Sequence, residues 1–153
     1  MLRLSRLADY GVMVMAHVAA DAKGVHNATD AAAATGLPGP TVAKIMAKLA
    51  RAGLLTSQRG AKGGYRLAAA PEDVSVASII TALDGPIALT QCSGIHTPSA
   101  CDHENLCVSR RGINRINTAI RSALEGVMLA ELARPYDFLG PLPPRANAPL
   151  PNA

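Results

Sequence analysis

The chain has 153 residues, 49% of them hydrophobic, yet it holds no Trp, one Phe and three Tyr. Its core must therefore be aliphatic, which argues against the stacking platforms of single-strand binders and against a large β-sandwich, and favours helices. The formal net charge of +4 is unevenly placed: residues 1–67 carry nine Lys/Arg against three Asp, and residues 68–153 carry six Lys/Arg against eight Asp/Glu. Lys44, Lys48, Arg51, Arg59, Lys62 and Arg66 follow one another with no intervening acid, so one end of the molecule should attract a polyanion.

No apolar stretch approaches the length of a membrane span, and the opening MLRLSRLADYG lacks the pattern of a signal peptide. The expectation is a cytoplasmic protein with no membrane partner. Its three cysteines are an odd number confined to residues 92–107, which does not suit a disulfide framework.

Taken in chain order, Leu4, Leu7, Gly11, Val14, Met15 and Val18 recur at helical spacing and predict a helix over 4–20. A break around Gly24 follows. Asn27 or Thr29 can cap a short helix that Gly36 ends. Pro40 fits the first turn of the next helix, which runs to about Ala52 and stops at Gly53. Its apolar stripe is Val42, Ile45, Met46 and Leu49, and its opposite face carries Thr41, Lys44, Lys48 and Arg51. Together these elements make a helix-turn-helix. Two short strands, 54–58 and 65–67, flank the basic, Gly-rich turn Arg59–Gly64, a hairpin placed where a winged helix carries its wing.

Pro71 opens a linker, and Val76–Leu83 forms a short helix that ends at Asp84-Gly85-Pro86. After the cysteine loop, a long helix over 110–134 aligns Ile113, Ile116, Ile120, Leu124 and Val127 in one narrow row, which suits a two-helix dimer seam. The last thirteen residues contain five prolines and read as disordered. The predicted fold is mainly α with a small β-hairpin wing. Its parts are a winged helix-turn-helix DNA-binding domain (1–70), a linking helix (71–91), a cysteine loop (92–107), a dimerisation helix (108–134) and a Pro-rich tail (135–153).

The basic helix and wing are the strongest functional signal. The helix presents Thr41, Lys44, Lys48 and Arg51 to the major groove and its phosphates, while Arg59 and Lys62 of the wing reach phosphates or the minor groove of double-stranded DNA. The second signal is Cys92-x8-Cys101-x5-Cys107, with His96, Asp102, His103 and Glu104 nearby. Thiolates are soft ligands for iron–sulfur clusters or zinc, but the paired knuckles of structural zinc are missing. Three buried thiols, or a thiol redox switch, are the competing readings. No catalytic constellation stands out, and Gly60-x-x-Gly63-Gly64 is not followed by the Gly-Lys-Ser/Thr of a phosphate loop. The expectation is a non-enzyme.

The opening Leu2–Gly11, the wing Arg59–Leu67 and the cysteine triad before a long helix resemble the Rrf2 family, the IscR-, RirA- and NsrR-type bacterial regulators. The resemblance covers about residues 1–134. It implies a homodimeric winged-helix repressor bound to a DNA operator, with an iron–sulfur cluster, two-iron or four-iron, held by Cys92, Cys101 and Cys107. The family's fourth ligand varies. The His that IscR-type members place three residues after the last Cys is Arg110 here. Asp9 matches the first-helix Asp that serves nitric-oxide-sensing members from the other subunit, with His103 and Glu104 as local rivals. Ala43 stands where IscR-type members carry a Glu that tunes site choice. Gly85–Cys92 looks like the regulators of the SUF iron–sulfur assembly genes. Two alternatives remain beside this reading: a cluster-free, thiol-sensing winged-helix regulator, and a metal or cluster carrier whose basic face is incidental.

Overall fold

A computed structural model describes residues 3–60, 63–90 and 107–133. Six helices and one hairpin follow in order: α1 (Arg6–Ala20), α2 (Ala28–Thr35), α3 (Gly39–Arg51), β1 (Leu55–Gln58), β2 (Gly64–Leu67), α4 (Val76–Asp84), α5 (Arg110–Glu125) and α6 (Leu129–Leu132). A single 3-10 turn, Pro71–Asp73, precedes α4. Among the described residues no helix is long and apolar enough to cross a membrane.

The helix ends follow local chemistry. Ser5 caps α1 by accepting the Ala8 N–H at 3.0 Å, so the helix begins at Arg6 and not at Leu4. Asn27 caps α2 through the Asp30 N–H at 2.8 Å, and Gly36 closes it at φ +69°. At the end of α3 the Leu54 N–H reaches the Leu49 carbonyl and the Gly53 N–H reaches that of Ala50, with Gly53 at φ +79°. This paired closure needs a left-handed residue, which glycine adopts without strain.

The apolar stripes of α1 and α3 meet in one core. Val14, Met15, Val18, Val42, Ile45, Met46 and Leu49 are fully buried there with Ala31, Leu55, Leu67, Ile79 and Leu83. Gly11 lets α4 lie against α1: a Cβ at that position would collide with Leu83 Cδ1.

The hairpin is antiparallel with Leu55 opposite Leu67 and Ser57 opposite Tyr65. It is wider at its root than its two strands. The His26 N–H donates to the Tyr65 carbonyl at 2.7 Å, and the Tyr65 N–H returns the bond to His26 at 2.8 Å. The chain between α1 and α2, which sequence patterning marks only as a break, thus supplies a third edge to the wing.

Two features depart from the expected layout. Within the segment 71–91 expected as a linking helix, Val74, Ile79 and Leu83 lie in the main core. The dimerisation helix expected over 108–134 ends at Glu125. After Gly126 the chain runs extended, and Met128 pairs with Ser75 across an antiparallel bridge. The Val76 N–H donates to Val127 at 2.9 Å and the Leu129 N–H to Val74 at 2.7 Å. Leu129 then enters the core fully buried. The helix stops because this backbone pairing and the Leu129 pocket compete successfully with another helical turn.

Candidate nucleic-acid interface and cysteine segment

The candidate recognition surface is built on α3. With Val42, Ile45, Met46 and Leu49 turned inward, Ala43, Lys44 and Arg51 are exposed on the opposite side. Small alanines at 43 and 47 leave Lys44 and Arg51 as the long charged side chains of that face. Thr41 and Lys48 sit on its flank and are half-buried. Lys48 Nζ donates to the Leu83 carbonyl of α4 at 2.9 Å. The flank of α3 that carries it lies toward α4, a neighbour that helical spacing alone does not reveal.

On the wing, Arg59 and Arg66 are exposed. Lys62 lies outside the described residues. The Gly63 N–H closes the base of the turn on the Gly60 carbonyl at 2.9 Å. Gly64 is required by contact: a Cβ there would lie 2.6 Å from the His26 carbonyl. That contact brings Lys23, which is exposed, to the wing's flank, where Arg66 Nη2 reaches its carbonyl at 3.4 Å. His17 and His26 meet edge-to-face with ring centroids 5.4 Å apart. Lys23 escapes sequence reasoning because its neighbourhood depends on the His26–Tyr65 pairing, which no local pattern announces.

Of the cysteine segment, Cys92 and Cys101 lie outside the described residues, as do His103 and Glu104. Cys107 is a half-buried free thiol immediately before α5. Asp9 is exposed in the first turn of α1. Among the described residues no three His, Cys, Asp or Glu side chains gather as a metal site. The approach to the segment is pinned: the Leu89 N–H donates to Asn117 Oδ1 at 3.0 Å. Asn117 is the buried residue of α5, 8% exposed. Its signal is present in the sequence as a polar residue set inside an apolar row, four after Ile113 and three before Ile120.

The row itself divides. Leu124 and Val127 pack against Ala8, Val76 and Ile80 of the same chain. Ile120 lines a groove of about 360 Å³ with Leu4 and Leu89. Ile113 is half-buried, whereas Ile116 is 50% exposed.

The comparisons agree with this geometry. Residues 4–135 match the Rrf2 family, described as iron-dependent transcriptional regulators. The transcriptional regulator IscR of Aliivibrio salmonicida is 30% identical over 132 residues, covering 86% of this chain and 77% of that one. Among solved structures, CymR, the global cysteine regulator of B. subtilis, superposes with a TM-score of 0.68 at 28% identity, covering 87% of this chain and 97% of that one. IscR of T. potens superposes with a TM-score of 0.66 at 29% identity, covering 86% and 85%. These relatives are regulators and not enzymes. The aliphatic helix-turn-helix core, the two-strand wing and the family match together make this chain a member of the Rrf2 family of DNA-binding winged-helix transcriptional regulators.

Proposed function

We propose that this regulator binds a two-fold operator as a homodimer and represses genes according to the state of Cys92, Cys101 and Cys107. Support for the DNA half comes from Lys44 and Arg51, exposed on the outer side of α3 beside the basic wing. Support for the dimer comes from Ile116, a large apolar side chain left 50% exposed on a helix whose other apolar residues are partly covered. Two recognition helices related by a two-fold axis would enter successive major grooves, so operator symmetry would mirror that of the protein.

Three thiols within one short segment form a donor set that fits an iron–sulfur cluster, since thiolates are its usual ligands. Cys92, Cys101 and Cys107 would hold it, with Asp9 as the proposed fourth ligand. A bound cluster supplies an iron- and redox-dependent cross-link between its ligand positions. The chain's own residues carry the consequence: Asn117 holds Leu89 at the entrance to the segment, and Cys107 leads directly into α5. The likeness of Gly85–Cys92 to SUF regulators makes iron–sulfur assembly genes the proposed targets.

A cluster-free thiol switch is the second reading, favoured by the half-buried thiol of Cys107 and by a likeness to CymR as close as that to IscR. Anaerobic purification followed by optical and Mössbauer spectra separates the two. Broad visible absorbance that disappears in Cys101→Ala supports the cluster. A colourless protein whose DNA affinity changes on thiol oxidation supports the switch. Loss of DNA binding to excess competitor duplex would instead favour the carrier reading.

A further inference from the structure

The end of α4 is electrostatically awkward. The last carbonyls of a helix lack intrahelical donors and carry the negative end of its dipole. Helix α4 has no basic residue in its last turn and ends in Asp84. Gly85, at φ +92°, turns the chain away after its N–H bonds the Thr81 carbonyl at 3.0 Å. Two side chains from other helices answer this negative end. Ser5 Oγ at the start of α1 donates to Asp84 Oδ1 at 2.8 Å. Lys48 Nζ of α3 donates to the Leu83 carbonyl at 2.9 Å.

Leu83 is a firm anchor, being 4% exposed and pressed against Gly11. Beyond it the chain passes through Ile87, which packs on the Ala8, Val76 and Ile80 cluster. It reaches Leu89, held by Asn117 of α5, just before the cysteine segment. The recognition helix, the end of α4 and the entrance to that segment are therefore joined in sequence by two polar contacts and one packed turn.

From this geometry we infer that Lys48 is a positioning residue. It fixes the recognition helix to the C-terminal end of α4, and through Leu89 and Asn117 to the cysteine-bearing segment, instead of contacting a DNA phosphate. This inference rests on the DNA-binding reading of α3 and assigns one of its basic residues a different task.

The two roles differ in salt dependence. Removing a lysine that neutralises a phosphate flattens the plot of log affinity against log salt by about one unit for each phosphate no longer neutralised. Removing a positioning lysine leaves the slope intact and weakens discrimination, because the base-reading residues are no longer held in place. The experiment uses the full-length chain, a duplex selected from a random pool by the wild-type protein, and an unselected duplex.

Lys48→Met should keep the wild-type salt slope and lower the preference for the selected duplex by about tenfold or more, the scale of a charge-assisted bond. Lys44→Met should flatten the slope by about one unit per protomer. A slope that falls for Lys48→Met as it does for Lys44→Met, or an unchanged preference, overturns the assignment. Should Lys48→Met fail to fold by circular dichroism, Lys48→Gln removes the charge while keeping an N–H donor, and the same slope criterion applies. A wild-type protein with no salt dependence would instead defeat the DNA-binding reading of α3, which separates the two failures.

The longer link is tested by adding Asn117→Ala. Unconnected sites should combine within about twofold. A double variant that departs from the product of the single effects by more than about threefold supports the link. Simple additivity removes the connection to the cysteine segment.

Discussion

Helices α3 and α5 carry similar apolar stripes, and their surroundings differ sharply. On α3, Val42, Ile45, Met46 and Leu49 are all fully buried within their own chain. On α5, Leu124 finds partners in α1 and α4, Ile120 lines an open groove and Ile116 is half exposed, while the buried residue is the polar Asn117. An amphipathic pattern states that a helix face requires a partner, without stating which chain provides it. The winged-helix half satisfies its faces internally. The α5 half leaves part of its row open, where the proposed dimer would place its second copy.

The largest effect should come from the closed half. Leu49→Ala removes a side chain with no exposure and should cost about 2–5 kcal/mol of folding free energy, measured by urea denaturation. A loss below about 1 kcal/mol would mean that α3 is not held by its core and would erase the contrast with α5. Next comes Ile116→Asp. In an isolated chain this exposed substitution should change stability by no more than about 0.5 kcal/mol, but in a dimer seam it buries an unpaired charge. Analytical ultracentrifugation should therefore show monomer of near-normal thermal stability. An intact dimer would move the interface elsewhere on the molecule.

The smallest effect concerns helix ends. The side chain of Asn27 caps α2, whereas Ser109, before α5, makes no side-chain cap bond. Asn27→Ala should cost about 0.5–2 kcal/mol, and Ser109→Ala should be close to neutral. Equal costs in chemical denaturation would show that the two halves are held alike.

The helix-turn-helix is legible in the sequence because its signals are local: apolar residues at helical spacing, Asn27 as a cap, Gly36 and Gly53 as stops. The hairpin is legible for the same reason, through its glycines and short flanking strands. What stays hidden depends on partners distant in sequence. The end of α5 at Glu125 is decided by pairing between Met128 and Ser75, and the apolar residues beyond it continue a helical pattern that the chain does not follow. Lys48 belongs to the basic stripe by spacing, yet the Leu83 carbonyl that draws it inward comes from another helix. Of the proposed ligands, Asp9 and Cys107 are located in the fold, whereas Cys92 and Cys101 fall outside the described residues, so sequence order remains the argument for the triad.

The burial of Leu129 in the core of the DNA-binding half bears on how the protein is made. Contacts between residues far apart in sequence form late, because the intervening chain must first be brought to order. The Val74–Leu129 and Val76–Val127 hydrogen bonds span the cysteine segment and the whole of α5. On the ribosome, where chains fold as their residues emerge, the winged helix can assemble most of its interior early. Its last core side chain arrives only after residues 92–107 and α5 have been synthesised. A nascent chain stalled before Leu129 would thus lack a finished winged-helix core, so the order of synthesis ties completion of that core to residues more than fifty positions further along the chain.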